Sequence, residues 1–219
     1  MAGPGAGGVA AHGVTVMSAG GMKALGRRLA AVLRAGDLVI LTGPLGAGKT
    51  TLVQGIAEGL HVRGPVTSPT FVIARVHPSL SGGPDLVHAD AYRLASPAEL
   101  DDLDLDADVE RSVTVVEWGG GLAEGLAADR LEVTITPVSG ARGAGLEDGP
   151  GLEGGADLGG RSGPGGGAGP RAEGGTGEDG RAGVEDGRPR LVRVTGLGRR
   201  WENAAKSAFL ARLAGPEAV

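Results

Sequence analysis

Residues 43–50 have the sequence Gly-Pro-Leu-Gly-Ala-Gly-Lys-Thr, which fits the pattern G-x-x-x-x-G-K-[ST]. The apolar run at 37–42 that precedes this loop is typical of a buried strand, and residues 51–60 after it have the composition of a helix. A strand, a glycine-rich loop and a helix in this order predict an α/β fold that binds a nucleoside triphosphate.

Each part of the loop has a chemical role in binding phosphate. Successive backbone N–H groups surround a phosphate chain only where small residues permit a tight turn, which Gly43, Gly46 and Gly48 allow. We expect Lys49 to reach the β- and γ-phosphates and the Thr50 hydroxyl to ligate Mg²⁺. The helix that begins at Lys49 adds the partial positive charge of its N-terminus. The chain has no [NT]-K-x-D segment of the kind that reads guanine, so the expected nucleotide is ATP.

A glycine-rich segment interrupts the C-terminal part of the chain. Residues 139–189 hold 20 of the 44 glycines and almost no large apolar side chains. Such a segment cannot bury enough apolar surface to offset the entropy lost on ordering it, so we expect a disordered insert. Pro137 and Pro189 bracket it between two predicted strands, which indicates that it hangs from the tip of a hairpin.

The rest of the chain is expected to form one α/β domain, because it is long enough to bury a real core. The expected segments are a flexible N-terminal tail at 1–13, a P-loop ATPase core at 14–138, the insert at 139–189, and a strand and helix at 190–215 that complete the same domain.

The insert carries most of the net charge. It holds five arginines against nine Asp and Glu residues, a net charge of −4 out of −5 for the whole chain. The expected domain is therefore close to neutral, which argues against independent binding to DNA or RNA, because such binding needs a basic surface. We expect any contact with RNA to be made through a partner protein.

Two absences in the sequence restrict the protein class further. The chain has no cysteine, which excludes disulfides, thiolate metal sites and a cysteine nucleophile. No apolar run approaches the roughly 18 residues of a membrane span, and the N-terminus does not have the pattern of a signal peptide. We expect a cytoplasmic protein without a membrane partner.

Hydrophobic patterns predict the remaining elements. Apolar residues recur at helical spacing from Ser18, a favoured N-cap residue, to about Arg34. A run at 113–117 that is apolar at nearly every position is typical of a central parallel strand covered on both faces. The other expected strands are 14–17, 71–77, 86–90, 130–136 and 190–195, and the other expected helices begin at Pro97 and lie near 122–126 and 201–213.

Two acidic residues end predicted strands. Glu117 follows an apolar run and precedes Trp118, and Asp90 ends the strand at 86–90. Ligands of open α/β folds bind at the carboxyl edge of the sheet, where a P-loop enzyme needs one acid near magnesium and another group near the attacking nucleophile. Each acid could instead cap a turn.

Residues 67–70, Thr-Ser-Pro-Thr, form a third polar segment. A hydroxyl-rich loop here could close over the γ-phosphate and Mg²⁺, or it could be an ordinary Ser-Pro turn, and the sequence favours neither. His77 and His88 are predicted to be strand residues rather than metal ligands, because no second histidine lies at a ligand spacing.

Four segments occur together in the order found in one bacterial family. They are the loop at 43–51, Ser-Pro-Thr-Phe at 68–71, His-Ala-Asp-Ala-Tyr-Arg-Leu at 88–94, and Val-Val-Glu-Trp at 115–118. In this combination the chain closely resembles the TsaE family, also called YjeE, over about residues 14–136 and 190–213. Only the first segment is shared with unrelated ATPases.

The resemblance implies a small ATPase with little activity alone. Members of the family are needed to form threonylcarbamoyladenosine at position 37 of tRNAs that read codons starting with A. They bind the heterodimer of a TsaD-like threonylcarbamoyl transferase and its TsaB-like paralogue, and hydrolyse ATP to support repeated rounds of modification. The implied fold is a P-loop NTPase-like three-layer α/β sandwich with a mostly parallel central sheet and an antiparallel portion.

The resemblance also implies roles for individual residues. The ATP-binding residues would be Gly43, Leu45, Gly46, Ala47, Gly48, Lys49, Thr50, Thr51 and Trp118. Thr50 and Glu117 would hold Mg²⁺. The catalytic residues would be Lys49, Asp90, which would position water or sense the nucleotide, and Thr70, which belongs to the switch loop over the γ-phosphate.

Two other functions are compatible with the loop. A P-loop kinase for a small molecule would need an arginine-bearing lid over the phosphates, and the arginine pair Arg199-Arg200 opens the predicted terminal helix instead. A nucleotide-sensing binding module without useful turnover would carry the same loop.

Deletion of residues 140–188 tests the predicted insert. We expect the shortened protein to fold and to bind nucleotide as the full chain does, because changing the length of a hairpin loop alters its closure entropy by only about 0.6 kcal/mol per doubling. Thermal unfolding and nucleotide titration would measure both properties. Loss of soluble, cooperatively unfolding protein would show that the segment is part of the fold.

Overall fold

The computed structural model describes residues 10–69, 73–101, 110–138, 188–202 and 213. Within these ranges the chain forms seven strands, three α-helices and one turn of 3₁₀ helix. The strands are β1 (Ala10–Val16), β2 (Leu38–Thr42), β3 (Ala74–His77), β4 (Asp85–Asp90), β5 (Ser112–Glu117), β6 (Arg130–Pro137) and β7 (Arg190–Leu197). The helices are α1 (Ala19–Ala30), α2 (Lys49–Leu60), α3 (Pro97–Asp101) and the 3₁₀ turn Glu124–Leu126.

The described strands form one mixed sheet in the order β1-β7-β6-β2-β5-β4-β3. The strands β4, β5, β2 and β6 run parallel to one another. At the two sides of this group, β3 pairs antiparallel with β4, β7 with β6, and β1 with β7. The α/β class and a sheet with parallel and antiparallel portions are therefore confirmed. The carboxyl ends of β2, β4 and β5 meet at one edge, which brings the loop after β2 close to the ends of β4 and β5.

Two buried clusters cover the two faces of the sheet. Alternate residues of β2 divide between them, because successive side chains of a strand point to opposite faces. Val39 and Leu41 pack with α1 and α2, while Leu38 and Ile40 pack with Leu100 of α3 and with the region of the 3₁₀ turn. The α1 and α2 helices approach closely at Gly55, where a Cβ atom would collide with the backbone of Lys23.

Most predicted elements are confirmed, with shifted ends. Ser18 caps α1 by accepting a hydrogen bond from the Gly21 N–H at 3.1 Å, as predicted. The helix ends at Ala30 rather than Arg34, because the chain turns there and the Val32 N–H bonds back to the Leu29 carbonyl.

The N-terminal boundary of the sheet was predicted wrongly. Residues 10–13, assigned to a flexible tail, belong to β1, which begins at Ala10 and pairs with β7 over its whole length. The Ala-Ala-His-Gly sequence has weak strand propensity by itself, and its pairing partner lies far along the chain.

The strand predicted at 71–77 also begins later. Ile73 is in a bend with φ of 67°, so β3 starts at Ala74, while residues 70–72 lie outside the described part of the chain. The helix predicted at 201–213 lies mostly outside it as well. Trp201 is in a turn rather than in a helix, whereas Leu213 is helical, and both side chains are buried in the core.

The ends of β6 and β7 flank the predicted insert. Pro137 pairs with Arg190, and the Val138 N–H bonds to the Pro189 carbonyl at 2.8 Å. The described residues before the insert and those that follow it belong to one compact unit, which spans Met1–Val138 and Glu185–Val219. The insert itself lies outside the described residues except for Arg188 and Pro189. Among the described helices, none is long and apolar enough to cross a membrane.

A buried ion pair joins the C-terminal segment to the start of β2. The Arg200 guanidinium donates to both carboxylate oxygens of Asp37, and it also donates to the Val32 carbonyl at 2.8 Å. The two side chains are 4% and 2% exposed. Removal of one partner would leave the other charge buried and uncompensated, which is the costly case for such pairs.

We expect Arg200→Met to lower the free energy of unfolding by about 3–5 kcal/mol, because Asp37 would remain buried without its cation. Urea denaturation measures the change. Arg27→Met is the matched control, because the Arg27–Glu58 pair is almost half exposed and such pairs contribute about 1 kcal/mol or less. Similar losses in the two variants would contradict the role of the buried pair.

Candidate functional site

The glycine-rich loop lies between the end of β2 and the start of α2, as predicted. Gly43, Gly46 and Gly48 have φ values of 154°, 73° and 102°, which disfavour other residues. At Gly43 the space is also closed, because a Cβ atom would collide with the Ile135 carbonyl of β6. The loop therefore turns back over the sheet edge with its backbone close to β6.

Lys49 is the first residue of α2 and is 5% exposed. Its ammonium donates hydrogen bonds to the carbonyls of Gly43 at 2.9 Å and Pro44 at 3.0 Å. It also lies 3.6 Å from the centre of the Trp118 ring, in a cation–π contact. Burial lowers the pKa of Lys49 below its usual value of 10.5, and the negative charges of Glu117 and Asp90 offset part of that shift.

Thr50 and Glu117 are in contact across the cleft between the phosphate loop and the ends of β4 and β5. The Thr50 hydroxyl lies 2.8 Å from Oε1 and 3.1 Å from Oε2 of Glu117. Glu117 ends β5 and is 2% exposed. The predicted pair of magnesium ligands is therefore in direct contact, and the hydroxyl donates to the carboxylate because an ionised carboxylate can only accept.

Asp90 lies beside Glu117 at the same edge, since the two residues are partners in the β4–β5 register. It accepts hydrogen bonds from the Ser68 hydroxyl at 2.8 Å and from the Tyr92 N–H at 3.0 Å. Asp90 thus ties the loop after α2 to the end of β4. Thr70, the predicted catalytic residue of that loop, lies outside the described residues.

Trp118 closes one side of the cleft. Its φ of 60° is unusual for a bulky residue, and its N–H bonds to the Leu41 carbonyl at 2.9 Å. The ring stacks at a tilt on Tyr92 with 5.0 Å between centroids. This backbone conformation turns the indole from the end of β5 toward Lys49.

The residues around the loop line a cavity of about 480 Å³. Its lining consists of Leu45, Gly46, Gly48, Lys49, Thr50, Thr51, Ser68, Asp90, Tyr92, Glu117 and Trp118. Of the remaining predicted ATP-binding residues, Gly43 is next to this cavity through its contact with Lys49, and Ala47 is a buried residue of the loop. A larger cavity of about 800 Å³ near Gln54, His61 and Leu80 contains none of the predicted site residues.

The oxygen atoms at this site fit a magnesium ion that is bound together with a nucleotide. The Thr50 hydroxyl and the Glu117 carboxylate are hard oxygen donors of the kind that Mg²⁺ takes. No group of three His, Cys, Asp or Glu side chains suited to a metal occurs among the described residues. A magnesium ion here would need phosphate oxygens and water to complete its coordination.

Two residues near the site were not predicted from the sequence. His88, predicted only as a strand residue, is on β4 and its Nε2 lies 2.8 Å from Glu117 Oε1. Arg190 begins β7, and its Nη2 is 3.5 Å from the Gly46 carbonyl. Nothing in the local sequence of Arg190 relates it to a loop 144 residues earlier. For His88 a signal exists, because residues two apart on a strand, such as His88 and Asp90, lie on the same face.

Comparison with known proteins identifies relatives of the chain. The family model described as threonylcarbamoyl adenosine biosynthesis protein TsaE matches residues 16–143. A protein of Streptomyces coelicolor named tRNA threonylcarbamoyladenosine biosynthesis protein TsaE is 66% identical over 115 residues, which are 52% of this chain and 78% of the relative. Proteins of the same name from Mycobacterium bovis and Bacillus subtilis are 55% and 40% identical, over 52% of this chain and 73% and 70% of theirs.

A solved structure has a similar fold. The crystal structure of YdiB from Bacillus subtilis superposes with a TM-score of 0.57 at 24% identity, covering 94% of this chain and 97% of that one. At this identity the likeness concerns the fold alone.

The buried position of Lys49 predicts an unusual titration. As the pH rises, we expect its ammonium to lose a proton below the usual value of 10.5, because burial disfavours the charged form. NMR titration of the lysine side chains would measure the midpoint, with Lys49→Met to assign the signal. A midpoint at or above that of an ordinary lysine would mean that the neighbouring carboxylates outweigh burial.

Proposed function

Because the chain belongs to the TsaE family, we propose that it is a P-loop ATPase that acts in forming N6-threonylcarbamoyladenosine on tRNA. The names of its relatives support a role in tRNA modification. The hydrogen bond between Thr50 and Glu117 at the open end of the phosphate loop carries the ATPase part of the proposal. It brings together the two oxygen donors that a P-loop ATPase uses beside its magnesium ion.

In this proposal the cleft binds ATP with Mg²⁺. The loop amides and the N-terminus of α2 face the phosphates, and Lys49 offsets their charge. The Thr50 hydroxyl donates a hydrogen bond to Glu117, which leaves the lone pairs of the hydroxyl oxygen for the metal. A bound Mg²⁺ ion would neutralise charge that develops on the transferred phosphoryl group. Trp118 forms the wall beside Lys49, where it can contact the nucleotide.

Asp90 and the loop after α2 supply the remaining groups. We assign Asp90 to positioning the attacking water or sensing the nucleotide, because it lines the cavity beside Glu117. Its bond to Ser68 would transmit any movement of this loop to the end of β4. Thr70 remains the proposed catalytic hydroxyl of the switch loop.

The partners are proposed from the family resemblance. They are a TsaD-like threonylcarbamoyl transferase and its TsaB-like paralogue in the cytoplasm, with tRNA reached through that pair and without DNA or membrane contact. The finer fold that we propose is the three-layer P-loop NTPase-like sandwich, supported by helices α1 and α2 on one face and by α3 on the other.

Phosphate release, measured with and without the transferase pair, tests the proposal. We expect slow turnover alone and faster turnover in the complex. Binding of ATP without turnover in either case would favour a nucleotide-sensing module. Transfer of the γ-phosphate to a small acceptor in place of water would favour a kinase. Co-purification with the endogenous transferase, with and without ATP, tests the partner.

Variants of the loop lysine and of the strand-end acid separate phosphate binding from metal binding. Lys49→Ala is expected to weaken nucleotide binding or turnover by about 100-fold or more, because it removes a preorganised cation. Glu117→Gln is expected to keep the fold and to reduce the effect of magnesium on nucleotide affinity, because an amide is a weaker metal ligand. Titration with a fluorescent ATP analogue over a range of Mg²⁺ concentrations measures both.

Lys23→Ala is the control for the loss of a lysine, because Lys23 is 38% exposed and pairs with Glu58. Full activity of Lys49→Ala in the complex would exclude the proposed phosphate contact. Equal magnesium sensitivity in Glu117→Gln and the unaltered protein would exclude Glu117 as a ligand.

A further inference from the structure

The buried side chain of His88, on strand β4, contacts the Glu117 carboxylate from the neighbouring strand. Its Nε2 atom lies 2.8 Å from Glu117 Oε1, and the two side chains are 0% and 3% exposed. Strand β4 places it there, because His88 and Asp90 lie on the same face of that strand, next to β5. We propose that His88 is a positioning residue that holds the Glu117 carboxylate in place for the metal. This inference rests on the proposed function.

The chemistry of the pair determines which nitrogen carries the proton. An ionised carboxylate has no hydrogen to donate, so His88 must donate through an Nε2–H group. The other ring nitrogen, Nδ1, is buried and has no hydrogen-bond partner among the described residues. The Nε2–H bond to Glu117 is therefore the interaction that sets the tautomer of the ring.

The bond also determines which carboxylate oxygen is available in the cleft. Oε1 accepts from His88 and, at 2.8 Å, from Thr50, whereas Oε2 accepts only the longer 3.1 Å contact from Thr50 within the described part of the chain. With Oε1 held from the strand side, Oε2 is the oxygen that can turn toward a metal. Without His88, the three side-chain torsions of Glu117 would be restrained only from the cleft side, through Thr50.

Hydrogen bonds of this kind orient metal ligands in many proteins, and their loss typically costs about 10–100-fold in metal affinity. The effect expected for His88 is therefore on the magnesium requirement. The affinity for nucleotide without metal depends on the loop amides and Lys49, which His88 does not contact in the described structure, and should change little.

His77 provides a matched control for the loss of a buried histidine. It is 3% exposed and belongs to β3, the next strand of the sheet, where it pairs with Leu86. Its Nδ1 lies 3.3 Å from the Arg63 carbonyl rather than near Glu117. A His77→Leu variant therefore removes a similar buried ring without removing a donor to the carboxylate.

The experiment compares His88→Leu, His88→Gln and His77→Leu in the full chain. Fluorescent ATP analogue binding is measured without metal and over a Mg²⁺ titration. We expect His88→Leu to raise the half-maximal Mg²⁺ concentration by about 10–100-fold. We expect His88→Gln to have a half-maximal Mg²⁺ concentration close to that of the unaltered protein, since the glutamine amide places an N–H near the position of Nε2. We expect His77→Leu to leave this concentration unchanged. Thermal unfolding records the stability of each variant.

NMR gives a readout that needs no ligand. In ¹⁵N-histidine-labelled protein, the His88 ring is expected to show the Nε2–H tautomer, and its ring signals should shift in Glu117→Gln more than those of His77.

The possible results distinguish failure of the proposed function from failure of the role proposed for His88. Failure of the unaltered protein to bind nucleotide in a magnesium-dependent way would overturn the proposed function and, with it, the role of His88. Normal magnesium dependence in a folded His88→Leu variant would overturn the role of His88 alone. An equal shift in His77→Leu, or no rescue by His88→Gln in a folded protein, would likewise overturn it and reduce His88 to core packing.

Discussion

The contact between the Thr50 hydroxyl and the Glu117 carboxylate is the point on which the site depends. It joins the first turn of α2 to the end of β5, two elements that the parallel sheet brings to one edge. The contact requires that the loop between β2 and α2 turn tightly, which the glycines permit, and that the Glu117 side chain be buried at the end of β5. Burial of a carboxylate is costly unless donors satisfy it, and Thr50 and His88 are the two side-chain donors seen in the described structure.

The parts of this site that depend on local sequence could be predicted. The phosphate loop, the N-cap at Ser18 and the strand ending at Glu117 each follow from patterns a few residues long. The carboxyl-edge rule indicates that Asp90 could lie at the same edge as Glu117, and the parallel pairing of β4 with β5 in the structure places the two residues side by side.

The parts that were missed depend on pairings distant in sequence. The residues of β1 before Val14 are a strand because β7 pairs with them, and the Ala-Ala-His-Gly sequence contains little sign of it. In the sequence Arg200 is visible only as part of an arginine pair, because its partner Asp37 lies 163 residues earlier. His88 was correctly predicted as a strand residue, but its donor role follows from the side-chain geometry of two neighbouring strands, which a single sequence does not contain.

The resting contacts of Lys49 add a constraint on how the site can work. Its ammonium is held by two loop carbonyls and by the Trp118 ring, so the loop encloses its own cation. A phosphate chain that entered the loop would compete with the Gly43 and Pro44 carbonyls for this cation, and it would attract the ammonium more strongly because its oxygens carry full negative charge whereas the carbonyls are neutral. Lys49 would then move relative to Trp118, whose left-handed backbone holds the ring at the cleft wall. The environment of this indole is thus tied to whether the loop is filled, and Trp201, buried elsewhere in the core, provides an internal reference for that change.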